Sequence, residues 1–366
     1  MTRKLSKPPY LFLRLGSIAV ALIIMATAFA YVSGWLDPQR LTPDRIINTF
    51  EANAGIHEGY RRNHAKGICV SGEFVSNGNA TGLSRASVFE RGRRVPVVGR
   101  LAVPGPNPVI ADGKPLVRSF ALRFSLPGGE EWRTAMNAMP VFSVSTPQAF
   151  YEKLEASKPD PETGKPDPRK IAAFFAAHPE TQAFRDWAKT AQRSSSYANL
   201  AYNSLNAFRF IDASGNVQVV RWGLVPEAPF TPIRDAQLKN PDFLYSELQA
   251  RLEQGPLRWH LVVTVAGPGD PTDDATKQWP DSRRKVDSGT LTIKRMQDQE
   301  HGACRDINYD PLILPEGIEG SDDPLLSARS ATYSESFNRR AREQAEQPPS
   351  SASTDDAHDD SQETQS

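Results

Sequence analysis

Between Arg14 and Asp37 the sequence carries no charge: 15–36 is an uninterrupted, mostly apolar run. A helix needs about 20 such residues to cross a bilayer core, and this run is long enough. Arg3, Lys4, Lys7 and Arg14 precede it and Asp37 follows it, a bias that places the N-terminus in the cytoplasm and the remainder outside. Two readings stay open. In one, the run is a retained single-pass anchor with Tyr31 and Trp35 at the lipid–water interface. In the other, it is a signal segment cut near Ala28-Phe29-Ala30, a small-x-small pattern. The length of the run favours the anchor. The chain then divides into a basic tip and transmembrane anchor (1–36), a soluble body (37–342) and a polar tail (343–366). The tail has no apolar face and is expected to be disordered.

Lysine plus arginine total 43, as do aspartate plus glutamate. Net neutrality gives no electrostatic footprint for nucleic acid, so none is expected as a partner. Cys69 and Cys304 are the only cysteines, with no CxxC and no HExxH, which removes zinc and iron–sulfur sites. The two thiols are able to pair in an oxidising compartment. Because cysteine is commonly buried, two buried, unpaired thiols are the expectation.

In the body, Thr42-Pro43-Asp44 starts an amphipathic helix over 41–57. Alternation and β-branched content predict strands at 68–75, 94–102, 119–126, 139–145, 207–211, 217–223, 258–266 and 289–294. Asp212-Ala213-Ser214-Gly215-Asn216 is a hairpin turn. Helices are predicted at 170–177, 180–192, 242–254 and 324–341, with a proline- and charge-rich loop at 158–170. Many strands with helices between and after them read as α+β with an antiparallel sheet or barrel.

On the last helix Arg329 and Tyr333 are four residues apart and share a face. A phenol with a pKa near 10 is a poor ligand until a guanidinium and a ferric ion favour its anion. Alone, this pair is an ordinary helix contact, and His64 alone is an ordinary structural histidine.

Order and spacing together say more. Arg61-x-x-His64-Ala65-Lys66-Gly67 precedes a strand, and Phe89 leads through Arg93-Arg94-Val95-Pro96-Val97-Val98-Gly99 to Arg100. Phe120-Ala121-Leu122-Arg123-Phe124, Trp132, Pro140-Val141-Phe142 and Phe150 follow. Then come Trp259, the run 274–280, Asn308-Tyr309-Asp310-Pro311, the run 315–322 and Arg329-x-x-x-Tyr333. Over roughly 45–340 this succession resembles the catalase family, and within it the shorter catalase-related peroxidase branch. The resemblance implies a catalase-like antiparallel β-barrel with surrounding helices, binding ferric haem. Tyr333 would be the axial ligand, with Arg329 keeping it ionised, His64 on the opposite side and Phe150 beside the haem. Arg61, Arg100 and one of Arg339 or Arg340 would pair with the propionates. His64 would carry a proton between the two oxygens of a peroxide. The implied partners are an organic hydroperoxide or hydrogen peroxide, a small-molecule electron donor and the membrane, with an oligomer compatible.

The pattern breaks in places. The family's distal asparagine falls on Ala138, with Asn137 beside it. A phenylalanine becomes Ser143, a Ser-Thr pair becomes Ala102-Val103, and a proximal-side histidine becomes Asn206. Alanine cannot hold a second hydrogen peroxide and leaves room for a bulkier one. Peroxidase turnover is therefore expected to dominate over disproportionation. The rival readings are a true catalase, a fatty-acid hydroperoxide isomerase, and a membrane-tethered haem-binding protein without catalysis.

Overall fold

The computed structural model describes residues 9–32, 37 and 40–346. Arg3, Lys4, Lys7, Trp35 and the tail from 347 onward lie outside the described residues. The described part of the apolar run lies in helix α1 (Pro9–Val32). Its stretch Phe12–Val32 has a mean hydropathy of 2.2, and none of its apolar window is buried against the protein.

After α2 (Pro43–Ala54) come strands β1 (Gly67–Ser76), β2 (Arg94–Ala102), β3 (Ser119–Ser125) and β4 (Glu131–Asn137). Helices α3 (Pro147–Ala156), α4 (Pro168–Ala177) and α5 (Gln182–Thr190) lead to β5 (Tyr202–Asn203), β6 (Phe208–Ile211) and β7 (Val217–Pro226). Then follow α6 (Asp235–Leu238), α7 (Phe243–Gln254), β8 (Leu257–Val265), β9 (Lys285–Asp298), β10 (Ile318–Gly320) and α8 (Pro324–Glu346). The order β7–β5–β4–β3–β2–β1–β9–β8 closes on itself through the β7–β8 pairing. The result is an antiparallel barrel with no free edge among these eight strands. β6 and β10 extend the sheet beside β7.

Period-two alternation fills the barrel. Trp132 stacks on Phe124 with ring centroids 4.8 Å apart and meets Trp222 edge-on at 5.0 Å. Phe120 packs edge-on against Trp259 at 5.4 Å. In β1, Gly72 sits at a bulge, where a Cβ would collide with the Thr292 carbonyl of β9.

The strand expected at 139–145 is not one. Pro140 has no N–H for a ladder, and the strand lies earlier, over β4, where Trp132, Thr134 and Met136 point inward. Residues 139–145 instead run irregularly towards α3, with the Phe142 N–H donating to the Ala275 carbonyl at 2.8 Å. Helix α8 runs past the expected tail boundary to Glu346 because Glu343 is tied down: it accepts from Arg62 and from the Gly59 N–H at 2.9 Å.

Cys69 and Cys304, expected as unpaired thiols, form a disulfide with Cα atoms 5.3 Å apart. Both lie on the outer side of the β1–β2 wall, packed with Ile307 and Tyr309. The bond closes a span of 235 residues, and cross-links over long spans remove the most entropy from the unfolded chain. Replacing both cysteines by serine should lower unfolding free energy by about 2–5 kcal/mol, read as a lower urea midpoint with a steeper slope, because the unfolded chain released from the cross-link exposes more surface.

Candidate active site

A cavity of about 420 Å³ lies on the outer face of β2–β3–β4 beneath α2, α3 and α8, a size typical of small-molecule sites. Strand alternation sends Arg100, Ala102, Ser119, Ala121, Ala135 and Asn137 to this face, while their neighbours fill the barrel. On α8 the lining residues are Leu325, Ala328, Arg329, Thr332, Tyr333, Ser336, Phe337 and Arg340. Their three- and four-residue spacing is a single helical face. Asp323 starts that helix, accepting from the Leu325 N–H at 2.9 Å.

His64 lines the cavity in a left-handed backbone conformation, φ 56°, which costs a non-glycine residue about 1–3 kcal/mol. Asn63 holds it there, its Oδ1 accepting from the N–H groups of His64 and Gly105, both at 2.9 Å. The His64 Nδ1 is buried without a partner. Burial first, and then the charges of Arg100, Arg329 and Arg61, push the ring down to about 3, so it is a neutral imidazole at ordinary pH.

Besides Arg329, three guanidinium groups line the same cavity with no carboxylate paired to any of them among the described residues. Arg61 donates to the carbonyls of Cys304 and Ile307 at 3.1 and 2.8 Å. Arg100 donates to the Ala65 carbonyl at 3.1 Å, in space left by Gly67, where a Cβ would come within 2.5 Å of its guanidinium carbon. Arg340 donates to the Arg305 carbonyl at 2.5 Å. Burial, reinforced by Arg100, lowers Arg61 to about 9; burial, reinforced by Arg61, lowers Arg340 to about 9; burial lowers Arg100 to about 10. Arg339 is elsewhere: it pairs with Asp44, Glu51 and Glu335 and is not part of the lining.

Arg329 lies 3.5 Å from the Tyr333 hydroxyl, to which it donates. It also donates to Asn206 Oδ1 and to the Ala135 carbonyl. The Asn206 amide donates in turn to Asp323 at 2.8 Å. Asn206, singled out in the sequence only as a lost histidine, thus joins Arg329 to a buried acid. Phe150 lines the cavity with its ring centroid 6.0 Å from that of Phe142 and 6.1 Å from that of Phe50. Ala138 is not in the lining but Asn137 is. Asn137 Oδ1 accepts from Ser119 at 2.6 Å, which leaves its amide N–H groups without a protein acceptor among the described residues.

Residues 54–365 match the family model described as Catalase. The chain belongs to the catalase family. It is 37% identical over 327 residues to the catalase-related peroxidase of Synechococcus elongatus, covering 89% of this chain and 96% of that one. It is also 37% identical over 304 residues to the catalase-related peroxidase of Mycolicibacterium paratuberculosis, covering 82% and 95%. The fold matches a crystal structure of a fungal catalase (TM-score 0.69, 20% identity) over 78% of this chain and 60% of that one. It matches catalase A from Saccharomyces cerevisiae (0.68, 19%) over 78% and 62%. The chain therefore spans about three fifths of the solved catalases it resembles, but nearly all of the shorter relatives.

Catalase-family proteins bind haem, and the residues here fit that group. Arg61, Arg100 and Arg340 have no paired carboxylate among the described residues, which suits a group that carries two carboxylates of its own. His64 Nδ1, Arg100 Nε and Tyr309 Oη are buried on lining residues with no partner. Arg340→Ala should release haem to a scavenger such as apomyoglobin faster than the unsubstituted protein does. Arg339→Ala should instead lower the melting temperature by loosening α2 from α8, with haem release unaltered.

Proposed function

We propose that the protein is a haem-dependent peroxidase that reduces organic hydroperoxides, and hydrogen peroxide, with electrons from an external small-molecule donor. Family membership makes it an oxidoreductase acting on peroxide. The observation carrying the finer reading is His64, a neutral imidazole with an unpartnered nitrogen in the same cavity as Tyr333 and the unpaired arginines. Haem binding alone needs no such base.

Tyr333 is the residue that would hold the iron, through its phenolic oxygen. Arg329 donates to that oxygen and would favour its metal-bound form, and Asn206 and the Ala135 carbonyl keep the guanidinium in position. Arg61, Arg100 and Arg340 would take the propionates, and Phe150 would pack beside the macrocycle. When bound, the haem supplies the iron and the redox chemistry of O–O cleavage. His64 takes the proton from one peroxide oxygen and returns it to the other, which departs as water or an alcohol rather than as an anion.

A second reading, disproportionation of hydrogen peroxide, is favoured by Asn137, whose free amide donors on the cavity wall are able to hold a second peroxide. The ratio of oxygen release to donor oxidation decides between the two, and rapid oxygen evolution that Asn137→Ala abolishes would establish the second.

The compartment we infer is outside the cytoplasm, with α1 kept as the anchor. The uncharged run from residue 15 onward and its basic flank support this, as does the disulfide, which persists where the medium is oxidising.

His64→Ala should retain the haem spectrum and lose about 10²–10⁴-fold in the rate of peroxide cleavage. Tyr333→Phe should lose haem. Because the ring stays unprotonated well below its ordinary range, kcat/KM for cumene hydroperoxide should be flat from about pH 5 to 8, without the inflection near 6.5 of an ordinary histidine. Intact cleavage in His64→Ala sinks the reading.

A further inference from the structure

Among the described residues lining the cavity, the mechanism leaves two charged groups unused: Arg62, which is paired with Glu51 and Glu343, and Lys153, which has no carboxylate partner. Lys153 lines it from α3, one turn after Phe150, so both residues share a face of that helix. Its ammonium donates to Ser143 Oγ at 2.8 Å and lies 5.5 Å from the centroid of the Phe184 ring. No carboxylate pairs with it among the described residues: the adjacent Glu152 bonds to Gln148 and His178, and Glu155 to Thr49. An ammonium has three donors. Ser143 takes one and, being neutral, leaves the charge uncompensated. Burial alone pushes the group down to about 8. Lys153 shares no hydrogen-bond partner with Arg61, Arg100 or Arg340: it is held by Ser143 on the α3 side of the cavity, whereas the arginines are held by the carbonyls of Ala65, Cys304, Arg305 and Ile307.

We propose that Lys153 and Ser143 form an anion-recognition subsite for the carboxylate of an organic hydroperoxide whose apolar body lies along Phe142, Phe150 and Phe184. This rests on the peroxidase reading and names the class of substrate. A carboxylate entering the cavity restores the counter-charge that Lys153 lacks and accepts from both the ammonium and the serine hydroxyl. The three rings take up the rest of the molecule, and a neutral hydroperoxide gains only the apolar part of this binding.

The test uses the haem-loaded protein and two unreactive probes, 4-isopropylbenzoate and its methyl ester, with binding followed by titration calorimetry. The acid should bind about tenfold more tightly than the ester, the worth of one charge-assisted hydrogen bond. That preference should disappear in Lys153→Met, survive in Lys153→Arg, and decline as pH rises above about 8 and the ammonium loses its proton. Methionine fills a similar volume without a charge, and the arginine variant guards against a merely structural effect. In turnover, the hydroperoxide of 4-isopropylbenzoate should exceed cumene hydroperoxide in kcat/KM by a similar factor, through KM. Equal binding of acid and ester, or a preference that survives in Lys153→Met, overturns the subsite. A preference in binding with none between the two hydroperoxides gives the carboxylate to the electron donor and overturns the substrate assignment. Failure to turn over cumene hydroperoxide sinks the peroxidase reading, and the calorimetry still decides the role of Lys153.

Discussion

Arg61, Arg100 and Arg340 are withdrawn from water beside one another, and their repulsion has to be met by something. Carbonyl oxygens of Ala65, Cys304, Arg305 and Ile307 meet part of it. Dipoles do not neutralise charge, and burying an unpaired cation is among the more costly things a fold does. Asp306, exposed beside Arg305, acts on Arg61 and Arg340 by charge without an ion pair to either, while Glu51, Glu335 and Glu343 serve Arg339 and Arg62 on the outer side of α8. The described residues thus supply cations without paired anions. A ligand that brings those anions would bind the folded state and stabilise it.

The barrel makes the arrangement rigid. Because β7 closes on β8, the β2–β3–β4 wall has no edge at which to slip, and a one-residue shift would send Arg100, Ala135 and Asn137 into the core. Against that wall α8 presents one continuous stripe, so that Arg329, Tyr333 and Arg340 arrive together. The segment holding the carbonyls for Arg61 is fastened to β1 by the disulfide.

The barrel strands were legible where alternation was clean, as in β2 and β3, and the last helix from its apolar spacing. The strand placed at 139–145 failed because an apolar run outweighed Pro140, while Glu131 and Arg133 concealed β4, whose inward side chains fall between them. Helix α3 was overlooked although Thr146-Pro147 is a capping signal that its side chain fulfils, accepting from the Ala149 N–H at 3.1 Å. The choice between Arg339 and Arg340 was open in the sequence, yet two helical turns from Tyr333 lead to Arg340 and not to its neighbour. Asn137 and not Ala138 faces the cavity because successive side chains at the end of β4 point to opposite sides, which linear spacing does not reveal. Lys153 gave no signal at all, because its meaning lies in contacts with Ser143 and Phe184 from other parts of the chain.

The single disulfide has a consequence for biosynthesis. Cys304 leaves the ribosome 235 residues after Cys69, so the first thiol waits through most of translation before its mate exists. With two cysteines in the whole sequence, no wrong intramolecular bridge is available, and no reshuffling by an isomerase is called for. The hazard is a different one: two immature chains joining through their early thiols. Covalent dimers should therefore accumulate when synthesis outpaces folding.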